Sequence, residues 1–233
     1  TLEAEIFKGD SHLVRNIRLG LTINGSDFDS FQITDRKRSH FSETWSPVWG
    51  KQSGVLNEYN RYVLSVQEAG NQGRKMDIIF RVYDEGVALR YEILEQYSLN
   101  DLVIDNDLTS FAVAGERFFW TPNGERANIG PVRVARVKEV FPHKENFQTP
   151  MVFESDDPYC LAVHEAATFN FSYSRLKSTV EKRFQFDMEP STGTTPAKTA
   201  WRVFMIGDDS GELLESSLLY NLNPPCAIDD ASW

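Results

Sequence analysis

The residues with the clearest chemical content lie in one stretch, Tyr159-Cys160-Leu161-Ala162-Val163-His164-Glu165-Ala166-Ala167. It reads as a strand, and side chains alternate across a strand. Tyr159, Leu161, Val163 and Glu165 therefore share one face, with Cys160, Ala162 and His164 on the other. A carboxylate in line with core residues is costly unless it sits at an open end with a partner or a cation. The plain alternative is that the strand emerges into water at Glu165, as surface carboxylates commonly do.

A second group is aromatic. Glu43-Thr44-Trp45-Ser46-Pro47-Val48-Trp49-Gly50 carries two indoles four residues apart. Trp faces stack on sugar rings, so Trp45 and Trp49 could line a carbohydrate cleft; equally, both rings could plug the core under a loop. Asn57-Glu58-Tyr59-Asn60 follows, either to orient a hydroxyl or to start a strand.

Other chemistry is missing from the sequence. There is no nucleophile elbow, P-loop, dinucleotide fingerprint or zinc motif. His12, His40, His143 and His164 have no metal-ligand spacing with one another. Asp156-Asp157 and Asp208-Asp209 read as turn and cap residues. Cys160 and Cys226 permit one disulfide and are too few for a framework, so buried free thiols are the expected state.

The elements that must position these residues are strands. Period-two alternation runs through Ile17, Leu19, Leu21 and Ile23, through Tyr62, Leu64 and Val66, and through Ile78, Phe80 and Val82. Past Asp84-Glu85-Gly86 it resumes at Val87, Leu89, Tyr91 and Ile93, which predicts a hairpin with Gly86 at positive φ. Phe184, Phe186 and Met188 alternate, as do Trp201, Val203 and Met205. Asn24-Gly25, Gly70 through Gly73, Asn123-Gly124 and Ser191 through Pro196 read as turns or loops. The single helical signal is Asp208 through Glu215, placing one short helix near residues 209–216 under an Asp209 or Ser210 cap. The sum is an all-β sandwich, a single domain over residues 1–233.

Composition narrows the partners. Of the 233 residues 41% are hydrophobic and 12% aromatic, enough for a sizeable core. The net charge of −10 argues against nucleic acid and anionic membranes, because phosphate binding needs a basic stripe. No apolar run approaches the roughly 18–20 residues that span a bilayer. The first residues do not read as a signal peptide. Neutral sugars, metal cations or another protein remain open.

Taken in order, several segments resemble a known family: Trp45 to Gly50 with Asn57 to Asn60, Ile79 through Tyr91, Ala162 through Ala167, Trp201-Arg202, Ile206-Gly207-Asp208, and Asn221-Leu222-Asn223-Pro224-Pro225. In this register they are similar to the N-terminal domain of glycoside hydrolase family 97, the bacterial α-glucosidases and α-galactosidases of the starch-utilisation type. One departure is Arg61 after Asn60, where the family pattern suggests an acid. The resemblance implies a β-supersandwich similar to galactose mutarotase, packed against a catalytic (β/α)8 barrel expected after residue 233. The catalytic carboxylates would lie in that barrel, so this piece alone is expected to be inactive.

The resemblance further implies that Glu165 is a calcium ligand shared with barrel glutamates, and that Ca2+ binds weakly or not at all to the isolated domain, where the site is open. Trp45, Trp49, His164 and Trp201 become candidates for the substrate pocket or the interface. The partners implied are the barrel of the same polypeptide and an α-linked oligosaccharide, in the periplasm or outside a Bacteroides-type cell. Two rivals are a stand-alone carbohydrate-binding module using Trp45 and Trp49, and an aldose 1-epimerase-like enzyme, which needs an acid–base pair over the sugar.

Overall fold

Alternating apolar positions fold into strands that pair almost entirely with antiparallel neighbours. The computed structural model describes residues 2–228 apart from 49, 51, 71, 72, 97, 98, 157, 180 and 181. The first strands are β1 (Glu3–Lys8), β2 (Ser11–Arg18), β3 (Leu21–Ile23), β4 (Ser26–Phe28), β5 (Phe31–Trp45), β6 (Val55–Glu68), β7 (Lys75–Tyr83) and β8 (Gly86–Ile93). Then come β9 (Asp101–Asp107), β10 (Ser110–Val113), β11 (Phe118–Asn123), β12 (Arg126–Arg133), the short helix α1 (Val137–Val140), β13 (Asn146–Phe147) and β14 (Met151–Glu154). The last part holds β15 (Cys160–Ala166), β16 (Ser174–Ser178), β17 (Arg183–Met188), β18 (Ser191–Thr194), β19 (Ala197–Lys198), β20 (Trp201–Gly207), α2 (Ser210–Glu215) and α3 (Leu218–Leu222).

Two large sheets make the sandwich. One runs β1-β2-β10-β17-β16-β13; the other runs β12-β11-β14-β15-β20-β8-β7-β6-β5, with β19 also on β8. A small sheet, β18-β9-β3-β4, closes one side. Between the large sheets Leu161, Val163, Phe204 and Ile206 pack against Phe111, Leu176, Phe184 and Phe186. Phe111 meets Phe204 edge-on, with centroids 5.1 Å apart. Buried rings of this kind supply most of the apolar area that holds two sheets together.

The outer face of the larger sheet carries its own apolar cluster. Ile79, Ala88, Ala162, Ala166, Trp201, Val203 and Met205 lie there, covered by Leu218 and Leu222 of α3. Strand alternation thus places Leu161, Val163 and Glu165 inward and Ala162, His164 and Ala166 outward, as the sequence pattern requires.

The β7–β8 hairpin turns at Asp84-Glu85, and Gly86 has φ +151°. A Cβ there would stand 2.3 Å from the Phe204 carbonyl oxygen, so both the conformation and the close approach require glycine. Asp209 caps α2 by accepting from the Glu212 N–H at 2.9 Å. Three expectations change. The helices α1 and α3 have no counterpart in the sequence reading, which places a single short helix near residues 209–216. Ser191–Thr194 is a strand, because it pairs with β9. Both cysteines are free, but Cys226 is exposed and Cys160 only half-buried.

Candidate functional site

The register of β15 against β20 decides the site. His164 lies opposite Val203, Glu165 opposite Arg202 and Ala166 opposite Trp201. Arg202 points between the sheets, its side chain 1% exposed. Its Nη1 donates to Glu165 Oε2 at 2.8 Å, and its Nε donates to Asp107 Oδ2 at 2.7 Å. Ser174, at the start of β16, donates its N–H to both Glu165 oxygens at 3.1 and 3.0 Å and its hydroxyl to Oε2 at 2.7 Å. The rings of Phe186 and Phe171 flank the guanidinium, with centroids 4.9 and 5.7 Å from Cζ.

Glu165 is therefore not an open strand end. Its side chain is only 8% exposed and that of Asp107 is fully buried. The physical reason is cross-strand pairing: the residue opposite Glu165 is a cation, and Ser174 comes down on it from the other sheet. The emergence of the strand into water at Glu165 does not survive.

The network continues inward. Asp107 Oδ1 accepts from the Thr109 N–H at 2.7 Å. The Thr109 hydroxyl lies 2.6 Å from the Tyr91 hydroxyl, which accepts from the Gly20 N–H at 2.9 Å. Burial pushes the Tyr91 phenol far above its ordinary range, and the Asp107 charge adds to that. One guanidinium thus serves two carboxylates, a formal excess of one negative charge.

That excess bears on metal binding. Oε2 of Glu165 takes three donors, while Oε1 takes only the longer Ser174 N–H bond. A carboxylate has about four lone-pair sites, so Oε1 retains accepting capacity. Among the described residues no group of three or more His, Cys, Asp or Glu side chains could hold a metal ion. Calcium takes about six to eight oxygens. Glu165 could offer one carboxylate oxygen to a cation, and the described residues do not by themselves form a complete site.

The other predicted residues lie on the opposite side of β15. His164, Ala162, Val152 and Met205 floor a groove of about 500 Å3, with Leu213 and Tyr220 from the α2–α3 segment on one side and Pro47 and Val55 on another. His164 Nδ1 is 2.9 Å from the Thr149 hydroxyl. Burial holds its pKa below the ordinary 6.5, against the upward pull of the Glu165 charge. Trp45 ends β5 and donates its indole N–H to Asn221 Oδ1 at 2.9 Å, while Asn221 Nδ2 donates to the Leu56 carbonyl. Trp49 lies outside the described residues.

Trp201 requires a correction. Its side chain is 1% exposed, and the guanidiniums of Arg81 and Arg90 stand 4.8 and 4.4 Å from its ring. The cations and α3 cover the ring, so within this domain it cannot lie against a sugar. The structure thus brings the Trp45 segment and His164 together around the groove and leaves Glu165 on the other side of the sheet. Sequence reasoning missed Arg202, Asp107 and Ser174. One signal was available: Arg202 stands in line with Phe204 and Ile206, the same anomaly as Glu165 in line with Leu161 and Val163.

Fold and site together define an all-β sandwich domain that carries one carboxylate tied between its sheets and one apolar groove on its outer face. The family model described as Glycosyl-hydrolase 97 N-terminal matches residues 1–225, and the chain belongs to that family. It is similar to a glycoside hydrolase family 97 enzyme from Pseudoalteromonas sp. strain K8 solved in complex with acarbose, at 25% identity and TM-score 0.88, covering 98% of this chain and 36% of that one. A probable retaining alpha-galactosidase of Streptomyces bingchenggensis (strain BCW-1) is 23% identical over 241 residues, covering all of this chain and 36% of the relative. A beta-arabinopyranosidase shares the fold, with TM-score 0.76 at 17% identity over 88% of this chain and 36% of that one. The chain thus spans about 36% of the length of these relatives.

Proposed function

We propose that this chain works as the non-catalytic N-terminal domain of a calcium-dependent α-glycoside hydrolase, periplasmic or secreted. It braces a catalytic barrel, walls one side of the substrate pocket and gives one carboxylate oxygen to calcium. The observation that supports this is Glu165: a carboxylate fixed by Ser174 and Arg202, in a triad with one negative charge in excess and with Oε1 the less engaged oxygen. Ser174 and Arg202 hold the carboxylate in one orientation. Calcium bound at such a position supplies Lewis-acid polarisation of a sugar oxygen. The substrate class, α-linked oligosaccharide, follows the relatives named for α-galactosidase activity and solved with acarbose or panose. No helix of the described residues is long and apolar enough to cross a membrane. An epimerase reading is disfavoured because His164 and Glu165 face opposite sides of the sheet.

The test compares the parent protein with its Glu165→Gln variant. Calcium raises the melting temperature of a protein that binds it only when folded. The expected result is a calcium-dependent rise, a measurable calcium affinity by calorimetry and hydrolysis of nitrophenyl α-glucoside or α-galactoside in the parent, all reduced together in the variant. If the variant keeps the same calcium response and the same hydrolysis, Glu165 is a structural partner of Arg202 and the calcium reading fails.

A further inference from the structure

On the outer face of the larger sheet Arg61 of β6 lies directly opposite Arg81 of β7, and Arg90 of β8 stands one diagonal step away, opposite Ile79. Like charges facing each other across strands repel. Arg90 is matched by Glu92, which also takes Lys198 at 3.5 Å. Burial lowers the Arg90 pKa against the pull of Glu92, and the charges of Arg81 and Arg61 act in the same direction as burial.

Arg61 and Arg81 differ from Arg90. Among the described residues neither makes an ion pair with a carboxylate. The Arg81 guanidinium packs against Tyr59 and Trp201, at 4.6 and 4.8 Å, and meets the Asn221 carbonyl at 3.5 Å and the Tyr83 hydroxyl, neither of them a charge. Its buried Nε has no acceptor. Phe41 stacks on Tyr59 at 5.1 Å and extends the aromatic platform. Two cations with no carboxylate partner among the described residues are conspicuous in a chain of net charge −10. Arginine set among aromatic rings is also the composition enriched at protein–protein contacts.

The same face already receives one segment of the chain, because α3 packs its Leu218 and Leu222 into the cluster that contains Trp201. We propose that Arg61 and Arg81 receive an aspartate or glutamate side chain from the part of the polypeptide that the relatives carry outside this domain. The proposal rests on the reading that the chain is one domain of a longer glycoside hydrolase. A carboxylate fits by charge, and a protein segment fits because the patch is continuous with the contact that α3 already makes.

The experiment uses the parent protein carrying Arg61→Lys or Arg81→Lys, treated with a water-soluble carbodiimide. The reagent joins an amine to a carboxylate in direct contact as an amide and carries off the oxygen as its urea. Peptide mass spectrometry then locates the links. The expected product joins β6 or β7 to an acidic peptide from outside residues 1–233; Arg36→Lys, on the exposed part of β5, gives no such product. The proposal is overturned if both variants link only to carboxylates within residues 1–233, or to none, while native lysines elsewhere on the domain link to the outside region. Absence of links between the two regions at every lysine would overturn the bracing role as well. As a second readout, the Arg61→Gln/Arg81→Gln double variant is expected to split a single calorimetric unfolding transition of the parent into two; one unchanged transition counts against the proposal.

Discussion

Trp201 and Arg202 are neighbours on one strand, and they open onto two different ways of accommodating arginine. Inward, Arg202 is sealed between the sheets and satisfied by Asp107, Glu165 and the Ser174 hydroxyl. Outward, Arg81 and Arg90 lie against the Trp201 ring, and the Nε atoms of both lack an acceptor. The difference teaches where formal counter-charge is obligatory. In a water-free layer a guanidinium needs carboxylates and full hydrogen bonding. On the outer face Arg90 keeps the single carboxylate of Glu92 and Arg81 none among the described residues, and the ring quadrupole contributes about 0.5–2 kcal/mol per contact.

The largest effect should come from breaking the inner arrangement. Arg202→Met leaves Asp107 and Glu165 buried without a cation, and the expected loss is about 3–5 kcal/mol in denaturant unfolding. A loss below about 1 kcal/mol would mean that the interior carboxylates escape by protonation or wetting, and the contrast between the faces would collapse. The outer arrangement should be less sensitive. Trp201→Leu removes burial and two cation–π contacts, with an expected loss of about 2–3 kcal/mol by the same measurement. If it equals or exceeds the Arg202→Met loss, the outer ring and not the inner triad dominates stability.

The smallest effect is a pH dependence on the groove side. His164 has a folded pKa below its ordinary 6.5 because it is buried. The unfolded chain then binds more protons than the folded one as pH falls past 6.5 toward the lowered value, so stability falls with pH in that window. The melting temperature of the parent should drop from pH 7 to pH 5, and His164→Asn should flatten part of that drop. An identical slope in the variant would show that His164 is protonated without penalty and that the groove floor is wet.

Legibility followed locality. The alternation Leu161, Val163, Glu165 was enough to place the carboxylate on the inner face, and the Asp84-Glu85-Gly86 turn was enough to place the β7–β8 hairpin. Which charge answers Glu165 was not legible, because Asp107, Ser174 and Arg202 arrive from three strands that only the completed topology brings together. Trp201 misled for the same reason: the arginines that cover it sit on β7 and β8, far away in sequence. Helix α3 has no side-chain cap and only five residues, so its signal lies in packing and not in propensity. Ser191–Thr194 carries glycine and threonine typical of a loop and becomes a strand only because β9 offers an edge.

The strand order of the larger sheet also constrains how the molecule comes into being. β20 inserts between β15 and β8, so the central rib of this sheet is synthesised after every other strand of the domain. Until residue 207 has left the ribosome, the hairpin array β5–β8 shows a bare hydrogen-bonding edge at β8, and β15 shows another. Open edges of this kind recruit other chains, and closure across more than a hundred residues is slow. The nascent domain therefore passes through a window of exposure that ends only when β20 joins two half-sheets into one.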